Sequence, residues 1–495
     1  MSSPPVTGKW FSGYLRHVRT DSVVRNSLYL MASTIATGAL GYVFWGIAAH
    51  HFTRQQVGVG SAIISLCSTA ALLTYLGSYA TLIERLPAQE YSTRWTAILL
   101  RVCVTTVGVT VGIAILAVPL LLSTAEYRRY FDSPVPIVIA VIGAALWTLV
   151  NLLGAAFIAA RRAGRLLFMQ SVISAMKILL LIPLTAAGAS AAGLVGAWVA
   201  SAAFGVVVGV VWLVPRMGLG RRPGYVPRRR TADALDFRLR GYGARHRRAA
   251  DLPATAGMRR LMAQHLTSVG GAVTPLVLPV LVVVRLGATQ NAYFYITWML
   301  GLAFFMISPS VATAVFAEGV RARADLHDAV LKALLVIALL LAPAVAVMIV
   351  AGKFVLGLFG PSYAHAGYAL LVLLAISSFP DAASNIAVAV FRVSDRLGYS
   401  TCLNLGILVL TLAGAWILMP RLGIAGVGVA WLSVQALGAM ASIPAFVQVR
   451  RSRHVVKRTD SVGVDAAVVP EDAGLALLID LARQQSFAGV SRRPP

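Results

Sequence analysis

The 495 residues are 58% hydrophobic and only 12% charged. A soluble globular chain carries roughly 25% charged residues, so an ordinary cytosolic enzyme, a disordered protein and a disulfide scaffold are excluded. The net charge of +25 would point to nucleic acid on a soluble domain, but beside long apolar runs basic residues set membrane topology instead.

In chain order, residues 1–25 are polar and basic, with no cleavage pattern of a signal peptide, and are expected to stay as a cytoplasmic segment. Twelve apolar segments then reach the roughly 20 residues needed to cross a bilayer. They lie at about 26–49, 57–83, 97–122, 137–160, 167–186, 193–214, 261–284, 291–317, 330–351, 366–391, 398–419 and 423–447. Two longer polar stretches interrupt them, the Arg-rich 215–260 and the tail 450–495, expected to be disordered. Cys67, Cys103 and Cys402 all fall in apolar stretches without CxxC or His-rich surroundings, so neither a disulfide frame nor a metal site is expected.

Basic residues fix the orientation. The N-terminus, the even-numbered loops with their adjoining span ends (Arg101 and Lys332) and the tail hold 36 of the 43 Lys and Arg, the odd-numbered loops 6, and Lys177 lies deep inside a span. By the positive-inside rule both termini and the long loop face the cytoplasm of a multi-pass protein of the cytoplasmic membrane. The predicted fold class is an all-α polytopic membrane protein of twelve transmembrane helices.

A weak internal repeat runs through the chain. Gly193-Leu-Val-Gly-Ala-Trp198 answers Gly426-Val-Gly-Val-Ala-Trp431 at an offset of 233, and Leu82-Ile-Glu84 answers Phe316-Ala-Glu318 at 234. The stretch from Arg54 to Gly58 answers Ala288 to Ala292 at the same offset. Six helices per copy is an even number, so the copies are parallel repeats. Two six-helix lobes, 26–214 and 261–449, are expected around a central cavity that opens alternately to each side. Residues 215–260 then form the inter-lobe linker, a basic tether over anionic lipid.

Asn26-Ser-Leu-Tyr-Leu30, Arg54-Gln-Gln-Val-Gly58-Val-Gly-Ser-Ala62, Leu76-Gly77 with Glu84-Arg85-Leu-Pro87, and Leu358-Phe-Gly360-Pro-Ser-Tyr363-Ala364 resemble bacterial polysaccharide flippases of the Wzx type. These belong to the multidrug/oligosaccharidyl-lipid/polysaccharide (MOP) exporter superfamily. The resemblance implies movement of a polyprenyl-diphosphate-linked glycan from the inner to the outer leaflet, for cell-surface polysaccharide synthesis. Membrane lipids, a glycan polymerase and glycosyltransferases are the partners it implies. Lipid II flippases of the same superfamily carry two further spans and arginines in the first helix, whereas 26–49 holds no charge here.

Charge inside a span costs roughly 2.5–3.5 kcal/mol and therefore marks function or a partner. Lys177 in the fifth span and Asp381 in the tenth have no charged counterpart in the other half. Lys177 is expected to face the cavity and attract the diphosphate. Arg285, near a span end, either snorkels to the head groups or receives the diphosphate at the outer side. Asp381, beside Pro380 and one turn from Asn385, is the candidate site for a coupling H+ or Na+, the only small ions expected. The competing reading pairs Lys177 with Asp381 as a silent ion pair between lobes. Asn26, Ser33 and Thr37 form a polar stripe that either lines a sugar-binding cavity or packs helices. Pro275 and Pro279 make the seventh helix a candidate gate.

No GxxxxGK[ST] motor motif occurs in the sequence. No catalytic cofactor, resident metal or nucleic-acid partner is expected, and a monomer is. A cation-coupled multidrug or metabolite exporter is the closest rival, though it would want acidic cavity residues. A membrane polysaccharide polymerase is the enzyme alternative, but the odd-numbered loops are short for such a site.

Overall fold

The computed structural model describes residues 22–87, 94–122, 125–128, 134–186, 190–214, 254–309, 311–312, 315, 326–394 and 396–447. The tail and most of the expected linker lie outside the described residues, as does the N-terminal segment up to residue 21. Every described element is helical: α1 (Ser22–His51), α2 (Arg54–Arg85), α3 (Arg94–Leu122), the short α4 (Ala125–Arg128), α5 (Pro134–Ala159), α6 (Ala163–Ala186) and α7 (Ala191–Val207). A π-helical turn, Val208–Leu213, extends α7. The second half has α8 (Ala254–Leu286), α9 (Ala288–Phe305), α10 (Leu326–Gly357), α11 (Pro361–Val393), α12 (Leu397–Leu422) and α13 (Ile424–Ala441).

Twelve helices are long and apolar enough to cross a membrane. They coincide with the twelve spans read from the sequence, while their ends differ. The second helix begins at Arg54 instead of about 57 because Thr53 caps it. The Thr53 hydroxyl accepts from the Gln56 backbone N–H at 3.3 Å, and Gln56 Oε1 accepts from the Thr53 N–H at 2.9 Å. This reciprocal capping box satisfies two otherwise orphaned donors. At the other end of the chain's polar middle, α8 begins at Ala254, so the last residues of the expected linker are helical. Gly287 alone joins α8 to α9, at φ 86°, a left-handed conformation that favours glycine.

The two halves repeat one packing pattern. In the first, α1 packs on α6, α2 and α3 on α5, α5 on α7, and α6 on α7. In the second, α8 packs on α12, α9 and α10 on α11, α11 on α13, and α12 on α13. Each pairing of one half thus has its counterpart six spans later. Between halves, α2 packs against both α8 and α9. Accordingly α2 is the most enclosed of the twelve, while α1, α3 and α12 are the least.

A single apolar cluster crosses the seam between halves. It includes Phe44, Trp45, Phe52 and Val57 from one side and Val283, Ala288, Ala292, Ile296, Phe359 and Tyr363 from the other. All of these lie toward the face predicted to be outer, where α1 ends and α2, α9 and α11 begin. Away from that face each half keeps its own core, around Leu82, Trp95 and Phe157 in the first and Phe304, Ile337 and Phe391 in the second. The halves share an apolar core at the outer face, and below it they meet along α2 and α8.

Candidate functional site

The seam is tightest where the repeat-related starts of α2 and α9 meet. Asn291 Nδ2 donates to the Gly58 carbonyl at 2.7 Å and to Ser61 Oγ at 3.1 Å. A Cβ on Gly58 would stand 1.7 Å from the Ala288 carbonyl oxygen, so only glycine permits this approach. Nearby, Arg54 Nε donates to Ser362 Oγ at 3.0 Å, tying α2 to α11. One layer further in, Trp45 lies against Tyr295 with centroids 4.6 Å apart, and Tyr42 OH donates to the Met299 carbonyl at 3.3 Å. Together these contacts close the outer end.

Below Tyr42 the two sides of the seam differ. The inner half of α1 is open, with Met31 62% and Ile35 69% exposed, and it packs on α6. By contrast α2 stays against α8 as far as Gly77, where a Cβ would lie 4.0 Å from His265 Nδ1. The contacts of α1 with the second half at Tyr42 and Trp45 therefore lie at one end, whereas α2 meets α8 along most of its length.

Lys177, on α6, lies beside the outer part of α1. Its Nζ lies 5.3 Å from the centroid of Phe44, which in turn meets Trp45 edge-on at 5.2 Å. A cation over an aromatic face is held by the ring quadrupole. Among the described residues no carboxylate pairs with it. Asp381 instead bonds neutral side chains: Oδ2 accepts from Ser308 at 2.8 Å and Asn385 Nδ2 at 2.9 Å, and Oδ1 from Gln435 Nε2 at 3.2 Å. The inter-lobe ion pair that competed with a functional reading is therefore not formed.

The Asp381 cluster joins α11 and α13 to Ser308, just beyond the end of α9, wholly within the second half. Asp381 is 9% and Gln435 2% exposed, and Gln435 Oε1 has no hydrogen-bond partner. A buried carboxylate with an unused amide oxygen beside it supplies hard oxygen ligands, a donor set that suits H+ or Na+. Asn385 was legible in the sequence through its one-turn spacing from Asp381. Ser308 and Gln435 were not, since their only signal is a lone polar residue in an apolar span.

The first half has hydroxyls where the second has this acid. Thr74 and Thr110 are 2.7 Å apart, Ser78 and Thr106 2.6 Å, and Thr110 and Thr148 3.1 Å. This ladder stitches α2, α3 and α5 together as intramembrane polar packing.

The other sequence candidates are dispersed. Thr37 donates to the Ser33 carbonyl at 2.7 Å, within its own helix, and Ser33 is buried. Asn26 falls within α1, but its side chain lies outside the described residues. Arg285 stacks on Trp416 of α12 at 4.7 Å. Pro275 and Pro279 lie inside α8, which runs unbroken through both. Asn291 and Trp298 are buried, and Trp298 is stacked on Phe294 at 5.4 Å and meets Trp431 edge-on at 5.2 Å.

No protein-family model and no curated protein matches the chain. Solved structures do. A multidrug resistance MATE family transporter of the MOP superfamily, in an inward-facing conformation, aligns over 88% of this chain and 96% of its own, with 18% identity and a TM-score of 0.56. The lipid II flippase MurJ, in an inward closed conformation, aligns over 94% and 98% with 10% identity and a TM-score of 0.62. MATE in a bent conformation aligns over 89% and 96% with 16% identity and a TM-score of 0.52. The span count that distinguishes lipid II flippases in the sequence thus does not separate them in fold. The chain shares the helical fold of these solved structures.

Proposed function

We propose that this protein is a flippase of the cytoplasmic membrane that carries a polyprenyl-diphosphate-linked oligosaccharide from the inner to the outer leaflet by alternating access. The observation that carries the reading is Lys177, a cation without a carboxylate partner among the described residues, beside a helix whose contacts across the seam, at Tyr42 and Trp45, lie at one end; we take the halves to part laterally along that helix. A lateral gap lets the polyprenyl tail stay in lipid while the polar head enters between the halves. The lysine ammonium then meets the diphosphate as a compact, mobile charge. The Asp381, Asn385 and Gln435 cluster takes the coupling H+ or Na+, and Pro275 and Pro279 supply flexure in α8 as the halves rock.

Leaflet-resolved movement of a fluorescent lipid-linked oligosaccharide in proteoliposomes tests this. Lys177→Gln should slow it about tenfold or more, the worth of one charge-assisted contact. A wild-type rate in that variant removes the diphosphate role. A second reading, a cation-coupled exporter of aromatic organic cations, is favoured by the aromatic roof of Phe44, Trp45 and Tyr295. Efflux of such a cation with no movement of the lipid-linked sugar would establish it instead.

A further inference from the structure

A cavity of about 180 Å³ lies between α2, α3 and α5 in the first half, apart from the Lys177 and Asp381 sites. Its room comes from five alanines on three helices, Ala70, Ala114, Ala117, Ala140 and Ala144, with Leu, Ile and Val completing the wall. The two polar side chains in the lining are already engaged: Cys67 Sγ donates to the Ala140 carbonyl at 3.2 Å, and Thr69 Oγ1 to the Ser65 carbonyl at 2.8 Å. The exposed wall is wholly apolar. Water needs two to four polar partners to occupy a cavity and finds none here, whereas an apolar void of about 150 Å³ holds a benzene-sized hydrocarbon. At this depth the surrounding solvent is lipid chain.

The charge above the cavity supplies the second half of the fit. Ala114 and Ala117 lie near the outer end of α3 and Ala140 near that of α5, so the cavity sits in the outer half of the spans. The connection between these two helices carries Arg128 and Arg129, two of the six basic residues on the odd-numbered loops. Tyr127, 1% exposed, anchors the short α4 into the seam cluster. Next to it Arg128 is exposed, with Nε donating to the Leu122 carbonyl at 3.1 Å, which holds its guanidinium over the end of α3. A cation at head-group level thus stands above a hydrocarbon-sized hole.

We infer that this cavity is a binding site for one anionic phospholipid, with a stretch of acyl chain lodged between α2, α3 and α5 and its phosphate against Arg128. The hole takes only a short length of chain, which suits a resident lipid rather than a transported polyprenyl. The site is independent of the proposed transport reaction and stands or falls without it.

Native mass spectrometry of the full chain in detergent, titrated with phosphatidylglycerol, phosphatidylcholine of the same chains, or undecaprenyl phosphate, tests it. One phosphatidylglycerol should be retained in preference to phosphatidylcholine. Ala114→Leu with Ala140→Leu, which fills the hole with hydrocarbon, should weaken that binding at least about tenfold. Arg128→Ala should weaken it about fivefold, as one basic residue at an anionic surface is worth about 1 kcal/mol. These two variants act on separate ends of the lipid, and Arg128 is exposed, so misfolding of the filled protein does not decide the result. Unchanged affinity in the filled variant with wild-type monodispersity overturns the proposal. So does equal retention of the two phospholipids with no effect of Arg128→Ala, or tenfold preference for undecaprenyl phosphate.

Discussion

Asp381 receives three hydrogen bonds from neutral donors, and the unused oxygen beside it belongs to Gln435. If a cation acts there, removing the carboxylate charge while keeping its shape should uncouple transport without unfolding the half. Asp381→Asn is therefore expected to abolish stimulation of flipping by an imposed Na+ or H+ gradient, while leaving the thermal melting temperature within a few degrees. Transport assays with each gradient in turn check this and identify the ion. A different outcome is expected in the hydroxyl ladder of the first half. Thr110→Val removes two interhelical bonds, while Thr74 and Thr148 keep their own bonds to backbone carbonyls; at about 0.5–1.5 kcal/mol per bond the loss should total about 1–3 kcal/mol, read as a lowered melting temperature with transport per folded molecule unchanged. The acid at Asp381 was legible in the sequence because a charge in an apolar run needs a reason. Its partner Gln435 was not, because an amide among glycines and alanines has no spacing rule to flag it. Lys177 stood out in the sequence as a charge inside a span, but its ring partner Phe44 is 133 positions away and follows from no pattern.

Twelve spans and their alternating direction were readable because apolar runs of bilayer length and flanking arginines are one-dimensional signals. The start of α2 shows a finer signal, since Thr53 and Gln56 are a capping pair written three residues apart. Which helices meet across the seam was hidden. The repeat-related stretches at Arg54 and Ala288 were visible as similar sequences, yet nothing in that similarity says that the two stretches pack against each other. Their contact depends on Gly58, and this makes the element testable. Gly58→Ala places a methyl into the Ala288 carbonyl, so the outer closure cannot form as it stands. Labelling from outside by a membrane-impermeant thiol reagent should rise several-fold at a cysteine placed at Ala292, which is buried in the closed seam. Replacing Asn291 by Leu should act in the same direction but more weakly, since it removes two bonds without inserting bulk.

For the whole molecule, the 36-to-6 distribution of basic residues predicts that reporter fusions at either terminus are active only on the cytoplasmic side. The doubling of helix pairings predicts that each half moves as a body, because every large contact except those of α2 lies within one half. A disulfide joining cysteines at positions 45 and 295 should then lock the outer closure and stop turnover, with reduction restoring it.

The uneven seam sets what such a molecule is able to admit. With α2 held along α8 and α1 in touch with α9 only near one end, the two halves are bound like the covers of a book whose spine is α2. A tunnel has a fixed bore, and its cargo must be narrower than that bore. A book opened at its fore-edge has no bore: one side of the passage is the bilayer itself. Under the proposed flippase reading, the size of the head group is then set by how far the covers part, and the length of the tail is not constrained at all.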